Sequence, residues 1–204
     1  MNEAQRKHLE AAFGTDIDRI EPLSGGLLAR SFRVVAGDID AAVRLPGQIG
    51  ACQSVAAELA ILGAAAAAGI APLAIELPAE HGIVATRFLP SARPWTPHDA
   101  REPDNIDRLC DRLRRLHALD VILEPLQFVD VAERYVALAT DRYALSAEQV
   151  AWRNELLAVA QTFVDLHEPS APCHNDLVAS NVLDDGAVWL VDFEFAVQGD
   201  PVLD

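Results

Sequence analysis

The spacing of apolar residues changes period along this chain, and the changes mark its elements. Ile17 to Leu23 is mostly alternating, and Ser24-Gly25-Gly26 follows as a flexible turn. Phe32-Arg33-Val34-Val35 runs through Ala36-Gly37-Asp38 into Ile39 to Leu45, a pattern that predicts a hairpin about a glycine turn. From Cys52 to Ala68 the period becomes helical, with Val55, Leu59 and Leu62 on one face. Gly69 is placed to end that helix in a left-handed conformation. Leu73 to Leu77 and Ile83 to Leu89 read as two further strands joined by Pro78-Ala79-Glu80-His81-Gly82. The order β-β-β-α-β-β predicts a small antiparallel sheet with one helix packed on it.

Beyond residue 89 the character shifts. Pro90, Pro94, Pro97 and Pro103 are dense enough to predict a stiff linker between two lobes. Ile106, Leu109, Leu113, Leu116 and Leu119 then recur at three and four, an amphipathic stripe that predicts a helix over 104–119. Ser146-Ala147-Glu148-Gln149 reads as a capping box opening a helix over 146–167, which Pro169 and Pro172 end. In the last thirty residues, Asn181-Val182-Leu183 and Ala187-Val188-Trp189-Leu190-Val191 flank the turn Asp184-Asp185-Gly186. This second hairpin brings Asn181 and Asp192 together, because both lie just outside its paired strands.

Composition narrows the function. The formal net charge of -15, from 16 Lys+Arg against 31 Asp+Glu, argues against a nucleic-acid binder, which needs a basic face. Lys7 is the sole lysine and sits in a charged start read as disordered, so a buried catalytic lysine is excluded. Cys52, Cys110 and Cys173 form neither a C-x-x-C pair nor a disulfide framework, which favours a reducing compartment. No secretory h-region opens the chain, and the alanine-rich run from Leu59 to Leu77 is broken by Gly63, Gly69 and Pro72. The expectation is a soluble, cytoplasmic protein that binds neither nucleic acid nor membrane.

The chemistry concentrates near the end. Phosphoryl transfer needs an aspartate beside the acceptor hydroxyl and oxygen ligands for a Mg²⁺ that neutralises the phosphates. Asp176, Asn181 five positions on, and Asp192 at the end of a hairpin supply that set in order. The run H-N-D-L-x-x-x-N, followed by D-F-E, resembles the catalytic loop and metal-binding segment of the kinase superfamily. In detail, Cys173-His174-Asn175-Asp176 and Asp192-Phe193-Glu194-Phe195 resemble the choline/ethanolamine kinase branch of the aminoglycoside phosphotransferase-like enzymes.

The resemblance implies a protein-kinase-like α+β fold of two lobes: residues 1–89 binding nucleotide, 90–103 as hinge and linker, and 104–204 as a mainly helical lobe with the catalytic hairpin. It implies ATP and Mg²⁺ as cofactors, Asp176 as catalytic base, and Asn181 and Asp192 as metal ligands. Ser24, Gly25 and Gly26 would cover the phosphates. Arg44 would take the position where most kinases carry a phosphate-clamping lysine, with Glu58 as its ion-pair partner. Thr86 to Leu89, with Arg87 and Phe88 between, would form the hinge that pairs with adenine. The acceptor it implies is a small, cationic hydroxyl compound, choline or ethanolamine first, with aminoglycoside, thiamine, homoserine or a sugar as alternatives. Family members usually continue well past the Gly199-Asp200-Pro201 segment, so the chain reads as truncated, with an incomplete acceptor pocket and apolar helix faces open to self-association.

Two other readings stand beside this one. A non-catalytic nucleotide-binding relic follows from the early stop, and a metal-dependent hydrolase would use His174, Asp176 and Asp192. His117 reads as a packed or capping residue, His174 as a loop organiser, and Trp95 and Trp152 as packing residues. Arg112, Arg114 and Arg115 read as a solvated helix face. A Cys173–His174 nucleophile pair is disfavoured, because adjacent residues rarely face one another.

Overall fold

A computed structural model describes residues 2–23, 30–45, 54–125, 128–166 and 168–204. The charged start is not disordered there. Glu3–Phe13 is a helix, α1. Asn2 caps it by accepting from the Gln5 N–H at 2.9 Å, while the Asn2 N–H donates to the Gln5 side chain at 3.0 Å. Gly14 ends it at φ 65°. Leu9 and Ala12 supply too narrow an apolar stripe for sequence periodicity to reveal, yet both are buried.

Strands β1 (Arg19–Pro22), β2 (Arg30–Ala36), β3 (Ile39–Leu45) and β4 (Val84–Arg87) form an antiparallel sheet in that order. On β3, Ala41, Val43 and Leu45 are buried with Leu9, Phe32 and Val34 in a core between the sheet and α1. Ala42 and Arg44 alternate with them and line a cleft on the other face. Leu73–Leu77, expected as a strand, contributes a single bridge, Ala74 to Thr86. Its backbone makes two bonds with β4, the Ile75 N–H to the Ala85 carbonyl at 2.9 Å and the Arg87 N–H to the Leu73 carbonyl at 2.8 Å, and Pro72 and Pro78 at its ends have no N–H to extend the pairing.

Helix α2 (Val55–Ala67) starts at the Ser54 cap, and Gly69 follows it at φ +67°, the left-handed conformation that its position implied. Its buried residues Ile61, Leu62 and Ala65 belong to a second core with Trp95, Leu116, Leu190 and Phe193. Thus α2 joins the sheet to the second hairpin, and Glu58 sits in its first turn.

The proline-rich stretch is built into the second core rather than spanning solvent. Arg93–Pro94 forms β5, the edge strand of a three-stranded sheet with β7 (Val182–Asp184) and β8 (Val188–Leu190), and an edge tolerates proline. Trp95 is 4% exposed and donates its indole N–H to Asp184 at 3.1 Å. Pro103 opens helix α3 (Pro103–His117) at a position where its missing N–H costs nothing. Next comes α4 (Phe128–Arg142), which the sequence reading left without an element although Phe128, Val131, Tyr135 and Leu138 recur at helical spacing. Helix α5 (Ala147–Leu166) opens on the expected reciprocal bonds between Ser146 and Gln149. It packs on α4 and exposes Trp152, Leu156, Val159 and Leu166. Strands β6 (Ala171–Cys173) and β9 (Val197–Gly199) pair antiparallel and close the segment that holds residues 174–196. Among the described residues no helix is long and apolar enough to cross a membrane.

Candidate active site

The loop after β6 is held by three anchors. His174 is fully buried; its Nε2–H donates to the Val191 carbonyl at 2.9 Å, and its Nδ1 accepts the Asp176 N–H at 3.3 Å. Burial pushes the imidazole pKa down, so the ring is neutral and both nitrogens are engaged. That overturns the hydrolase reading, which needs His174 as a metal ligand. Asn175 takes a left-handed backbone, φ 61°, and its amide donates to the carbonyls of Cys173 and Phe195. Gly199 packs so closely that a Cβ there would lie 3.3 Å from the Cys173 sulfur. The Cys173 thiol is buried and its pKa is pushed up to about 12, chiefly by burial, so it is no nucleophile.

The third anchor is Asp204, which the sequence reading did not single out. Its carboxylate accepts the backbone N–H groups of His174 at 2.8 Å and Asn175 at 2.7 Å, and bonds His117 Nε2 at 3.0 Å. Burial pulls this carboxyl upward, but the bonds from His117 and the two N–H groups outweigh it and hold its pKa below the ordinary value. A depressed carboxyl stabilises the fold above its unfolded pKa, about 4, and that contribution is lost as pH falls through the lowered folded value. Asp204→Ala would leave two backbone donors unpaired, each worth about 1–3 kcal/mol. A lower melting temperature is expected for it at pH 7, converging on the parent protein in acid. A constant gap down to acid pH would contradict the assigned bonds.

With the loop fixed, Asn181 Nδ2 donates to Asp176 Oδ2 at 2.8 Å and to the Asp176 carbonyl at 3.0 Å. Across the hairpin the Val191 N–H donates to the Asn181 carbonyl at 3.0 Å, which brings Asp192 beside them. Asp192 itself has φ 67° and turns the chain into a 3₁₀ turn over Phe193–Phe195. The three residues are thus together, as their spacing predicted.

Arg44 reaches them from β3. Its guanidinium pairs with the buried Glu58, with Glu194 at 3.1 Å and with Asp192 at 3.4 Å. The Glu58 pairing was expected; Glu194 was missed, since no periodicity links positions so far apart in sequence. Burial pushes the carboxyl pKa values of Glu58, Asp192 and Glu194 up, and Arg44 pulls against that in each case. One cation against three acids leaves excess negative charge, and Asp192 Oδ1 is buried without a hydrogen-bond partner. An electron-rich corner of carboxylate and amide oxygens, in which Asp192 Oδ1 is met by the Arg44 Nε at 3.4 Å but by no hydrogen bond, fits a divalent cation such as Mg²⁺.

Beside this corner lies a cavity of about 300 Å³. Ala42 and Val84 roof it, Leu183 and Phe193 floor it, and Arg87, Phe88 and Leu89 close its outer edge. The Arg87 and Phe88 N–H groups are spent on the carbonyls of Leu73 and Asp40, whereas the Leu89 N–H has no partner among the described residues. Arg33 stacks 4.2 Å above the Phe88 ring while bonded to Asp40 at 2.9 and 2.7 Å, a brace for this edge that sequence alone did not reveal. Ser24, Gly25 and Gly26, expected to cover the phosphates, lie outside the described residues.

Solved structures share this architecture. A choline/ethanolamine kinase family protein from Mesorhizobium loti is 26% identical, with TM-score 0.71 over 98% of this chain and 67% of that one. The choline kinase LicA of Streptococcus pneumoniae superposes with TM-score 0.74 at 18% identity, over 98% of this chain and 70% of that one. The fold is therefore the two-lobe, protein-kinase-like α+β fold. Among curated sequences, protein LicA of Haemophilus influenzae is 27% identical over 132 residues, 63% of this chain and 49% of that protein. Choline/ethanolamine kinase of Mus musculus is 27% identical over 124 residues, 54% of this chain and 31% of that protein. The chain thus spans half or less of the length of these curated relatives. A profile of the phosphotransferase enzyme family matches residues 19–204, nearly the whole chain, and the chain belongs to that family.

Proposed function

We propose that this protein transfers the γ-phosphoryl group of ATP to the hydroxyl of a small amino alcohol, choline or ethanolamine. The observation that carries the reading is the Asp176–Asn181 pair, 2.8 Å apart, set beside Asp192 at the inner end of an apolar cleft. In this reading residues 1–89 are the nucleotide lobe, 90–103 the connection and 104–204 the catalytic lobe. Adenine lies between Ala42 and Leu183, with the unpartnered Leu89 N–H as its donor at the outer edge. Asp192 and Asn181 hold Mg²⁺, which when bound neutralises the phosphates; the Asn181 nitrogen is committed to Asp176, so its carbonyl oxygen is the ligating atom. Arg44 grips phosphate oxygens with its planar fork, in the place of a lysine that this chain does not have. Asp176 orients the acceptor hydroxyl and takes its proton, and Asn181 keeps that carboxylate aimed.

The amino-alcohol acceptor is supported by the choline and ethanolamine kinases among the relatives and by the chain's acidic balance. Radiolabelled ATP with Mg²⁺ and a panel of choline, ethanolamine, thiamine, homoserine, an aminoglycoside and an uncharged sugar tests it. Label is expected on choline or ethanolamine. Transfer to the sugar or the aminoglycoside alone would remove the amino-alcohol reading, and ATP hydrolysis with no transfer would remove the kinase reading.

A further inference from the structure

A cluster of four arginines lies on a part of the fold that the proposed reaction does not use. Between α3 and the β7–β8 turn is an open cavity of about 500 Å³, lined by Arg108, Asp111, Arg112, Arg114 and Arg115 and, far from them in sequence, by Gly186, Ala187 and Val188. It shares no residue with the nucleotide cleft. Arg108, Arg112 and Arg115 stand at i, i+4 and i+7, so one face of α3 presents guanidinium groups along ~10 Å of helix.

The charges there are unevenly answered. Arg108 is bonded by both terminal nitrogens to Asp184, at 2.8 and 2.9 Å, and Arg114 pairs with Asp111 at 2.7 Å. Arg112 and Arg115 have no carboxylate within ion-pair distance among the described residues. Instead each gives one N–H to the end of α2: Arg112 to the Gly69 carbonyl at 3.1 Å, and Arg115 to the Ala68 carbonyl. Those two bonds tether each guanidinium at one N–H and leave its further N–H groups uncommitted. Burial, then repulsion from Arg115 and Arg108, pushes the Arg112 pKa down against the pull of the Asp111 carboxylate. Arg114 and Arg115 are exposed, as the solvated-face reading of the sequence expected, while Arg112 is half-buried against the end of α2.

We propose that this groove is a second, non-catalytic binding site for a small anion carrying two phosphate groups. Two guanidinium forks one helical turn apart, each tethered by one bond to the end of α2, match two linked phosphates, whereas a single phosphate meets only one fork. The backbone of Gly186 to Val188 forms the opposite wall.

Pyrophosphate, titrated calorimetrically without Mg²⁺ into the whole protein, is the probe. Three variants separate the groove from the cleft. Arg112→Gln/Arg115→Gln removes the forks. Ala187→Glu sets an opposing charge on the far wall while leaving the α2 bonds intact, so it answers the objection that the double variant fails to fold. Arg44→Gln removes the cation of the cleft. Affinity is expected to fall at least tenfold in the first two variants and to stay unchanged in the third, and orthophosphate is expected to bind at least tenfold more weakly than pyrophosphate. Equal affinity in the parent and the Ala187→Glu protein, or loss confined to Arg44→Gln, would overturn the proposal.

Discussion

Replacing Asp176 with alanine is expected to lower phosphoryl transfer by ~10²–10⁴, the span over which a positioned general base contributes, while nucleotide affinity stays nearly unchanged. The separation follows from geometry. The Asp176 side chain engages Asn181 Nδ2, and Asn181 also donates to the Asp176 backbone carbonyl at 3.0 Å, a bond that the substitution keeps. Asn181 therefore remains in place for the cation, and Asp192, Arg44 and the apolar walls of the cleft are untouched. Single-turnover transfer to choline, read beside calorimetric binding of Mg-ATP, makes the comparison. Wild-type transfer in the variant would show that the base lies elsewhere. Equal losses in transfer and nucleotide affinity would show instead that Asp176 supports the phosphate site.

That Asp176, Asn181 and Asp192 could be picked out from sequence has a physical basis. All three sit on or beside a single short hairpin, so local pairing alone brings them together, as the bond from the Val191 N–H to the Asn181 carbonyl shows. The hairpin about Gly37 was legible for the same reason, since period and turn chemistry agreed there. What stayed hidden depends on contacts between distant segments. Glu194 meets Arg44 across 150 positions, and Asp204 closes on the catalytic loop from 29 and 30 positions away. Neither pairing leaves any trace in local periodicity. Trp95 was legible as a packing residue, yet its indole bond to Asp184 across 89 positions, which ties the proline-rich stretch to the hairpin, was not. The bonds of Arg112 and Arg115 to the end of α2 were not legible, because a helical pattern cannot show which other segment arrives against it.

Arg44 should reveal, more than any other single position, how this site is held together. Glu58 has 2% of its side chain exposed and pairs with Arg44, so Arg44→Met would leave a buried carboxylate facing Asp192 and Glu194 with no cation. Breaking a buried pair from one side typically costs about 3–5 kcal/mol, which for a chain of this size lowers the melting temperature on the order of 10 °C. Adding Glu58→Leu removes the stranded charge, and since desolvation offsets much of what a buried pair gains, the double variant is expected to melt above Arg44→Met alone. Nucleotide affinity should behave differently: the phosphate clamp is absent from both variants, so Mg-ATP binding is expected to weaken in both and not to recover with stability. Arg44→Lys keeps one positive charge but cannot reach Glu58, Asp192 and Glu194 with a planar fork, so it should fall between the parent and Arg44→Met in both measurements. Melting curves and calorimetric titrations on the four proteins give the answer. A double variant that melts below Arg44→Met would mean that Glu58 stabilises the fold even without its cation, and that no stranded charge weakens Arg44→Met. Unchanged Mg-ATP affinity in Arg44→Met would take the phosphate clamp away from Arg44 and leave it only the work of neutralising the acids around it.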